Sequence, residues 1–390
     1  MRVLYCILDN RVGGPHRLAL TLSRYLKRHG VETLFLIGRK TDDRWQPDGA
    51  QVFQRTHLQG FQRRRPLLNL VRFLALLPLN LLRIRRLIRA HRIDIVHVDG
   101  VTNFVPALAA ALTRTPVVWT YNDYLAPSLR RMLLPLVARL ADRIIIQGEN
   151  IRTRYPRNHR RFEEKVTVLP SAVDPQDFDP NRFTARDREA LRAEFQIPAD
   201  HALIGTIGNI NLMKGHDDFI EAAHQIKQRQ LKAKFLIVGR QLDTASDYWD
   251  RLQMLLDRLG LRDEVIFTGF RTDIARILSA FDVFVLPSIL ESCPVVVLEA
   301  MAMKVPVVAT DVGAVSEMIL AGRTGFVVPP RDPGAIAQAV ATSLAQPRAE
   351  RDAMTEAARK RVVTNFAVDR IAYQQKHIYE ALGAGPGGRG

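Results

Sequence analysis

The chain contains only two cysteines, Cys6 and Cys293, and they fall in opposite halves of its 390 residues. This excludes a disulfide scaffold and favours a reducing, cytoplasmic setting. The N-terminal stretch MRVLYCILDN lacks the apolar core and cleavage site of a signal peptide and predicts a first β-strand. The most apolar segment, residues 66–82, contains Arg72 and two prolines, so it does not predict a membrane-spanning helix.

Acidic residues are scarce in the first half of the chain. Residues 1–180 contain 30 Lys and Arg against 15 Asp and Glu, whereas residues 181–390 contain 26 against 25. The net charge of +16 therefore comes almost entirely from the first half. A surface with this charge favours an anionic partner.

Short runs rich in Val, Ile and Leu alternate with helical patterns along the whole chain. Seven such runs precede residue 170 and six follow residue 200. Apolar strands separated by helices predict parallel sheets covered on both faces, so two series predict two doubly wound, Rossmann-like α/β domains. The Pro- and Asp-rich segment VDPQDFDPNRF marks a boundary between domains at residues 1–180 and 200–364. A helix at 365–382 follows, and the glycine-rich residues 383–390 predict a disordered tail.

Glycines follow the first predicted strand of each domain. Gly13 and Gly14 begin a helix, where backbone amides can approach an anion closely; the alternative is an ordinary tight turn, since G-x-G-x-x-G is absent. In the second domain, Gly208 and Asn209 follow the strand, and Lys214 stands before the next helix. Its ammonium group can neutralise a phosphate. The alternative is a solvated lysine, because the spacing does not match a P-loop.

Two glutamates frame the start of another predicted helix, in the segment ESCPVVVLEAMAM. Pro294 suits the first helical position, so Glu291 lies just ahead of the free amides at the helix N-terminus. Glu299 lies in the apolar part of the helix, where a carboxylate needs hydrogen-bond donors that a pair of ribose hydroxyls would supply. The alternative is two unrelated surface glutamates, but the apolar residues on both sides favour a binding site.

As a set, these motifs resemble the family 4 retaining glycosyltransferases of GT-B architecture. The resemblance rests on the Gly-Gly turn, on Lys-Gly-His at 214–216, on the spacing of the two glutamates, and on fragments such as VLPSAVDPQDF, FTGFRTD and GRTGFVVPPRDP. It spans residues 1–382 and is densest between 202 and 333. It implies two domains that face a central cleft, the first for the acceptor and the second for a nucleotide-sugar donor, with the last helix packed back on the first.

The resemblance implies a role for each matching residue. Glu299 would hold the ribose, Glu291 would contact the transferred hexose, and Lys214 would neutralise the departing diphosphate, with retention of anomeric configuration. Gly14 would approach the same diphosphate from the first domain. The other donor-site positions are the backbone at the helix start, the residues that border the nucleobase and the two glycine turns: Ser292, Cys293, Pro294, Val295 and Val296, Phe270 and Arg271, and Gly13, Gly208 and Asn209.

Two positions depart from the family pattern. Asn209 stands where many relatives carry an arginine, so more of the diphosphate's charge falls to Lys214. Asn122, beside Asp123, stands where relatives often carry a histidine, and asparagine cannot transfer a proton as histidine does. We keep both Asn122 and Asp123 as candidate catalytic residues. Stabilisation of the leaving group by a lysine and helix amides needs no metal or cofactor, and the one Asp-x-Asp motif, in the linker, is not expected to bind metal.

The basic character is concentrated in residues 61–92, which contain nine arginines and no acidic residue. Leucines and isoleucines recur there at helical spacing, and Pro78 predicts a break into two helices. Arginine beside an apolar stripe is typical of a helix on an anionic membrane, so we expect a peripheral protein at the inner face of the membrane. The alternative is a pair of ordinary Rossmann helices whose arginines face water. A nucleic-acid partner is disfavoured because few aromatic residues for base stacking are interleaved with these arginines.

The sequence therefore predicts a glycosyltransferase that moves a hexose from a UDP- or GDP-sugar to a glycan or lipid-linked acceptor, in the synthesis of cell-surface polysaccharide or glycolipid. Two alternatives stay open. A sugar phosphorylase of related fold would use phosphate in place of the diphosphate. An inactive, donor-binding partner subunit would account for the two asparagine replacements.

Overall fold

The computed structural model describes residues 1–8, 14–38, 52–56, 66–121, 127–152, 160–241 and 246–383. Its contacts divide the chain into two compact units. The second unit is Val173–Ala367, and the first combines the described residues up to Ala172 with those from Val368 onward. The chain therefore returns to its first unit with its last helix. The predicted tail, apart from Gly383, lies outside the described residues.

The first unit is built on a seven-stranded sheet in which every pairing is parallel. Its strand order is β3-β2-β1-β4-β5-β6-β7, so the order reverses between β1 and β4. The strands β1 and β2 are buried along nearly their whole length, as expected of a sheet with helices on both faces. The strands are β1 (Arg2–Ile7), β2 (Glu32–Gly38), β3 (Val52–Thr56), β4 (Ile95–Asp99), β5 (Val117–Thr120), β6 (Arg143–Ile146) and β7 (Val166–Val168).

Helices cover both faces of this sheet. One face is closed by α2, α3 and α4, whose apolar side chains share a core with Trp119. The other face is closed by α1 and the last helix, α15, where Tyr379 is buried in one core with Val118. The helices are α1 (Gly14–Arg28), α2 (Pro66–Ala90), α3 (Phe104–Ala111), α4 (Pro127–Leu140), α5 (Glu149–Arg152), α6 (Arg160–Glu163) and α15 (Val368–Gly383).

A buried polar cluster also ties α15 to the sheet. The two ring nitrogens of His97 on β4 lie 2.6 Å from the Tyr379 hydroxyl and 2.7 Å from the Thr120 hydroxyl. Burial lowers the pKa of His97 to about 3, so the imidazole is neutral near pH 7 and can accept from one hydroxyl and donate to the other. The last helix is therefore fixed to the first unit by directional bonds as well as by apolar packing.

The prediction of a helix break at Pro78 is wrong, because α2 continues from Pro66 to Ala90. Proline removes one backbone hydrogen bond, in this helix the bond to the carbonyl of Leu74. Both residues lie on the exposed side of α2, where water can satisfy that carbonyl. The opposite side packs on α3 and the sheet, which keeps the helix continuous. None of the helices in the described ranges is both long and apolar enough to cross a bilayer.

The second unit is built on a six-stranded sheet, again with every pairing parallel. Its strand order is β10-β9-β8-β11-β12-β13, and the order reverses between β8 and β11. The two sheets confirm the predicted fold class of two doubly wound, Rossmann-like α/β domains. The strands are β8 (Ala202–Ile207), β9 (Ala233–Val238), β10 (Val265–Gly269), β11 (Val283–Leu286), β12 (Val307–Thr310) and β13 (Phe326–Val328).

The helices of the second unit begin at caps that the sequence specifies. Thr184 and Asp187 form a capping box at α7, and Asp332 accepts from the amide of Ala335 at the start of α13. The helices are α7 (Ala185–Glu194), α8 (His216–Gln228), α9 (Ser246–Leu259), α10 (Ile274–Ser279), α11 (Val295–Ala302), α12 (Val315–Met318), α13 (Pro333–Ala345) and α14 (Arg348–Asn365).

Candidate functional site

The candidate residues of the second unit cluster beyond the carboxyl ends of its strands. The loops after β8 and β11 matter most, because these two strands are neighbours where the strand order reverses. Connections leave such neighbours in opposite directions, which opens a crevice at the sheet edge, the usual ligand position in doubly wound sheets. Lys214 lies in the first loop and Glu291 in the second. The topology therefore brings the two residues to one crevice.

A constrained loop presents Lys214. Residues Leu212–Lys214 form a turn of 3-10 helix, and the side chain of Asn211 caps it by accepting from the amide of Met213 at 2.9 Å. Gly215 follows in a left-handed conformation, with φ of 62°. A Cβ at Gly215 would lie 2.1 Å from the carbonyl oxygen of Pro287, so only glycine fits. The loop after β8 is thereby packed tightly against the loop after β11.

Lys214 and Glu291 form an ion pair. The ammonium Nζ of Lys214 donates to Oε1 of Glu291 at 2.5 Å. The same oxygen accepts from the hydroxyl of Ser288 at 2.8 Å, and the carbonyl of Ser288 accepts from the hydroxyl of Thr310 at 2.5 Å. Because Glu291 is largely buried, the attraction between the two charges is stronger than it would be in water. The sequence analysis missed Ser288 and Thr310, although a hydroxyl at the end of each strand was an available signal.

Helix α11 starts one residue later than predicted. Pro294 is its N-cap and Val295 its first helical residue. No described side chain caps this end, so the first amides of the helix are available to an external acceptor. Just ahead of it, the hydroxyl of Ser292 is buried and has no hydrogen-bond partner among the residues that the structure describes. Together with the helix dipole, these donors make the start of α11 suitable for an anion.

A second glycine supports the backbone ahead of α11. Gly313, in the loop after β12, has φ of 60°. A Cβ there would lie 2.2 Å from the carbonyl oxygen of Ser292 and 2.4 Å from that of Glu291. The amide of the next residue, Ala314, donates to the carbonyl of Ser292 at 2.8 Å. Gly313 was also missed; it lies three residues after β12, whereas Gly208 directly follows β8.

Glu299 is a buried carboxylate in the second turn of α11. Its neighbours along the helix, Leu298 and Ala300, are fully buried in the core, and Glu299 itself is buried. An ionised carboxylate in such a place requires hydrogen-bond donors. Cys293 is buried too, and its sulfur lies 3.7 Å from that of Met318, so Cys293 packs into the interior behind the start of α11. The side chains of Val295 and Val296 are half-buried.

The two residues predicted to border a nucleobase differ in their surroundings. Phe270 follows β10 with an exposed ring, and the guanidinium of Arg240, after β9, lies 4.9 Å from the ring centroid. Arg271 instead donates to both carboxylate oxygens of Asp273, at 2.8 and 2.7 Å, and to Glu194 at 2.6 Å. Arg271 therefore joins α7 to the start of α10. Phe270 offers a surface for stacking, and Arg240 is a neighbour that the sequence analysis missed.

Two residues after Lys214, His216 is buried close enough to be affected by its charge. Burial, helped by the positive charge of Lys214, lowers the pKa of His216 to about 4, so His216 is neutral near pH 7. Asp217 accepts from the Tyr248 hydroxyl at 2.7 Å and from Arg331 at 3.0 Å. Arg331 lies in the loop after β13, so this ion pair holds the start of α8 to a further loop at the same sheet edge.

The candidates of the first unit are only partly within the described residues. Gly14 begins α1, is exposed, and has open space where a Cβ would stand. Gly13, Asn122 and Asp123 lie outside the described residues. In the Asp-x-Asp motif of the linker, Asp179 accepts from the amide of Asn181 at 3.1 Å and lies 3.4 Å from Arg359, so it has a structural role.

Two family models match the chain, one in each half. The model described as Glycosyltransferase Family 4 matches residues 12–177. The model described as Glycosyl transferases group 1 matches residues 187–361. Between them the matches span most of the chain and include Lys214, Glu291 and Glu299. The chain thus belongs to the GT-B glycosyltransferases that combine these two domains.

Similar proteins agree with this family. The chain is 31% identical over 220 residues to the uncharacterized glycosyltransferase MJ1607 of Methanocaldococcus jannaschii, across 56% of this chain and 54% of that protein. It is 32% identical over 221 residues to the lipopolysaccharide core biosynthesis mannosyltransferase LpcC of Rhizobium leguminosarum bv. viciae, across 57% and 61%. These alignments therefore span little more than half the length of either relative.

The fold is shared with a solved structure over almost the whole chain. HepE of Anabaena, crystallised with UDP and glucose, superimposes with a TM-score of 0.82. The match covers 98% of this chain and 100% of that one, at 22% sequence identity. At this identity the likeness establishes the GT-B fold.

Proposed function

We propose that this chain is a retaining glycosyltransferase that moves a hexose from a UDP- or GDP-sugar to a glycan or lipid-linked acceptor. The observation that carries the proposal is the ion pair between Lys214 and Glu291, 2.5 Å long, next to the uncapped start of α11. These groups suit a sugar diphosphate bound in one crevice. The ammonium group of Lys214 would balance the charge of the diphosphate, the carboxylate of Glu291 would accept from sugar hydroxyls, and the amides at the start of α11 would donate to phosphate oxygens.

The donor's parts fit separate groups around this crevice. The diphosphate would accept from the amides of Val295 and Val296 and from the Ser292 hydroxyl, which lacks a partner among the described residues. Glu299, buried on the same helix, would bind the ribose hydroxyls. The exposed ring of Phe270 would stack on the base, with Arg240 behind it.

Gly208 would keep the space beside Lys214 open. A Cβ at Gly208 would lie 3.4 Å from Cδ of Lys214, in contact with the aliphatic part of the lysine side chain. A larger side chain would restrict the movement of that group between Glu291 and a bound diphosphate. Asn209, the next residue, lacks the charge that relatives often have there, so the proposal assigns most of the leaving-group stabilisation to Lys214 and the α11 amides.

The reaction would proceed by exchange of partners at Lys214. As the bond between the anomeric carbon and the phosphate oxygen breaks, its electron pair leaves with the nucleoside diphosphate, and Lys214 stabilises the growing negative charge. Glu291, released from Lys214, would accept from the sugar hydroxyls and stabilise the positive charge at the anomeric carbon. The acceptor oxygen then bonds to that carbon from the same face, and its proton passes to the departing diphosphate. This sequence retains configuration and uses no metal.

Similar proteins support the substrate classes. The name of LpcC identifies a mannosyltransferase of lipopolysaccharide core biosynthesis, and HepE was crystallised with UDP and glucose. Both favour a hexose donor, and the first favours a cell-surface glycan or glycolipid as product. The alternative of a sugar phosphorylase rests on the same amides, since inorganic phosphate would fit the start of α11 equally well.

Release of nucleoside diphosphate from UDP-glucose and GDP-mannose, with soluble glycans and membrane lipid extracts as acceptors, tests the proposal. We expect one donor to be consumed with formation of a glycosylated product, and Glu291→Gln to abolish turnover. The control Glu350→Gln changes an exposed glutamate at the start of α14 and should leave turnover unchanged. Phosphate-dependent cleavage of a glycan without nucleotide would identify a phosphorylase instead. Tight donor binding without turnover for any acceptor would identify an inactive donor-binding subunit.

A further inference from the structure

The outer side of α2 exposes several aliphatic residues to solvent. Val71, Leu74, Leu79 and Leu82 are between 42% and 63% exposed. At 100° per residue their side chains fall within less than half of the helix circumference. The inner side of the same helix is ordinary core, with Ile84 and Ile88 buried against the sheet. Helix α2 is therefore apolar on two sides, whereas a surface helix usually exposes polar residues.

The positive charges of α2 flank this exposed stripe. Arg72 and Arg83 lie along one edge, and Arg86 and Arg89 continue the stripe toward the helix C-terminus; all four are exposed. The helix contains no acidic residue. We call these four arginines and the four aliphatic residues the α2 outer face. Three further arginines of the basic segment, Arg63, Arg64 and Arg65, lie just outside the described residues.

A neighbouring helix repeats the pattern. Helix α4 lies on the same side of the sheet as α2, and α3 packs against both. Its exposed side chains include Leu129 and Met132, with Arg131 between them. Exposed aliphatic and basic residues thus occur on two helices of one layer. Such an extended apolar surface marks an interaction site.

We propose that the α2 outer face docks this chain on an anionic lipid bilayer. The four aliphatic side chains would enter the boundary between headgroups and acyl chains, and the arginines would lie at the level of the phosphates. Charge decides between a bilayer and another copy of this chain. Two copies of an all-positive face would repel each other, whereas an anionic leaflet attracts every arginine on it. The proposal is independent of glycosyl transfer, because its test needs neither donor nor acceptor.

Sedimentation of the full chain with vesicles tests the docking. We expect binding to vesicles of phosphatidylcholine with 30–40% phosphatidylglycerol (roughly the charge density of an anionic leaflet) and much weaker binding to pure phosphatidylcholine. The triple variant Arg72→Gln, Arg83→Gln, Arg86→Gln should lower the partition coefficient on the order of 100-fold, since each arginine near the surface contributes about fivefold. The pair Leu74→Gln, Leu82→Gln should lower it by at least about tenfold.

Matched changes on the second unit provide the controls. Met254→Gln alters an aliphatic residue that is 62% exposed on α9, and Arg258→Gln removes an exposed arginine from the same helix. Neither should change vesicle binding. Because Leu74 and Leu82 are exposed, their variants should fold normally, and circular dichroism and thermal unfolding would verify this.

A fluorescent probe reports insertion directly. Tryptophan placed at Leu79 should shift its emission to shorter wavelength on anionic vesicles and be quenched by brominated lipid, while Met254→Trp should respond to neither. Equal binding to neutral and anionic vesicles, or no loss of binding in the arginine triple variant, would overturn the proposal. So would a chain that ignores vesicles and dimerises through this face, with the dimer lost in the leucine variant.

Discussion

Replacing Lys214 with alanine is the perturbation that most directly separates chemistry from structure at the candidate site. The substitution removes the cation that the proposal assigns to the departing diphosphate, and it removes the ammonium donor from Glu291, which still accepts from the Ser288 hydroxyl. Loss of one group aimed at transition-state charge typically lowers kcat by about 100- to 1000-fold, or roughly 3–4 kcal/mol. We expect that loss in kcat, with a much smaller change in the KM of the donor.

The same substitution should also cost stability, for a different reason. It leaves a largely buried carboxylate without its counter-charge, and we expect the free energy of unfolding to fall by about 1–2 kcal/mol, below the full value for a buried pair because Lys214 is partly exposed. The double variant Lys214→Ala, Glu291→Gln removes that charge as well. It should regain the stability in chemical denaturation without regaining turnover. A Lys214→Ala enzyme with full kcat and weaker binding alone, or a double variant with restored turnover, would refute the reasoning.

Three further outcomes are expected. Glu299→Ala should weaken binding of UDP or GDP by about 1.5–3 kcal/mol, the value of hydrogen bonds to a charged group, and unchanged affinity in calorimetry would contradict its role. Gly215→Ala should lower the free energy of unfolding by at least about 3 kcal/mol. Gly260→Ala, where φ is also positive (61°) but a Cβ would meet open space, should cost only about 1 kcal/mol, so equal losses would count against the packing argument. The pKa of His216 is about 4 in the folded protein and about 6.5 in the unfolded chain, so between these pH values only the unfolded state gains the proton. Lowering the pH from 7 to 4 should therefore reduce the free energy of unfolding of the wild type by roughly 3 kcal/mol more than it reduces that of the His216→Gln variant. Parallel pH profiles of the two proteins would exclude this linkage.

The sequence predicted the fold because its strands are buried on both faces. Such strands read as continuous Val, Ile and Leu runs, and all thirteen expected runs form strands. Where the prediction was wrong, tertiary packing overrode a local rule. Pro78 does not break α2, because the inner side of the helix packs on the core from Phe73 to Ile88 and Leu74, whose carbonyl loses its bond, is exposed.

The sequence analysis named the charged residues of the candidate site but missed the residues that hold them in place. Lys214 and Glu291 were each identified from their place after a strand, and the switch in strand order explains why they meet. Ser288 and Thr310 were marked only by their hydroxyls near strand ends, and their bonds depend on how close the ends of β11 and β12 lie, which the sequence does not show. Arg271 was predicted to border the nucleobase, yet its guanidinium already donates to Asp273 and Glu194. Sequence spacing alone does not reveal these contacts.

A crystal structure with UDP or GDP bound tests the central claim most directly. The account predicts the diphosphate on the amides of Val295 and Val296, the ribose hydroxyls on Glu299, and Nζ of Lys214 moved from Glu291 to a phosphate oxygen. A nucleotide bound elsewhere on the chain, with Lys214 still 2.5 Å from Glu291, would contradict it.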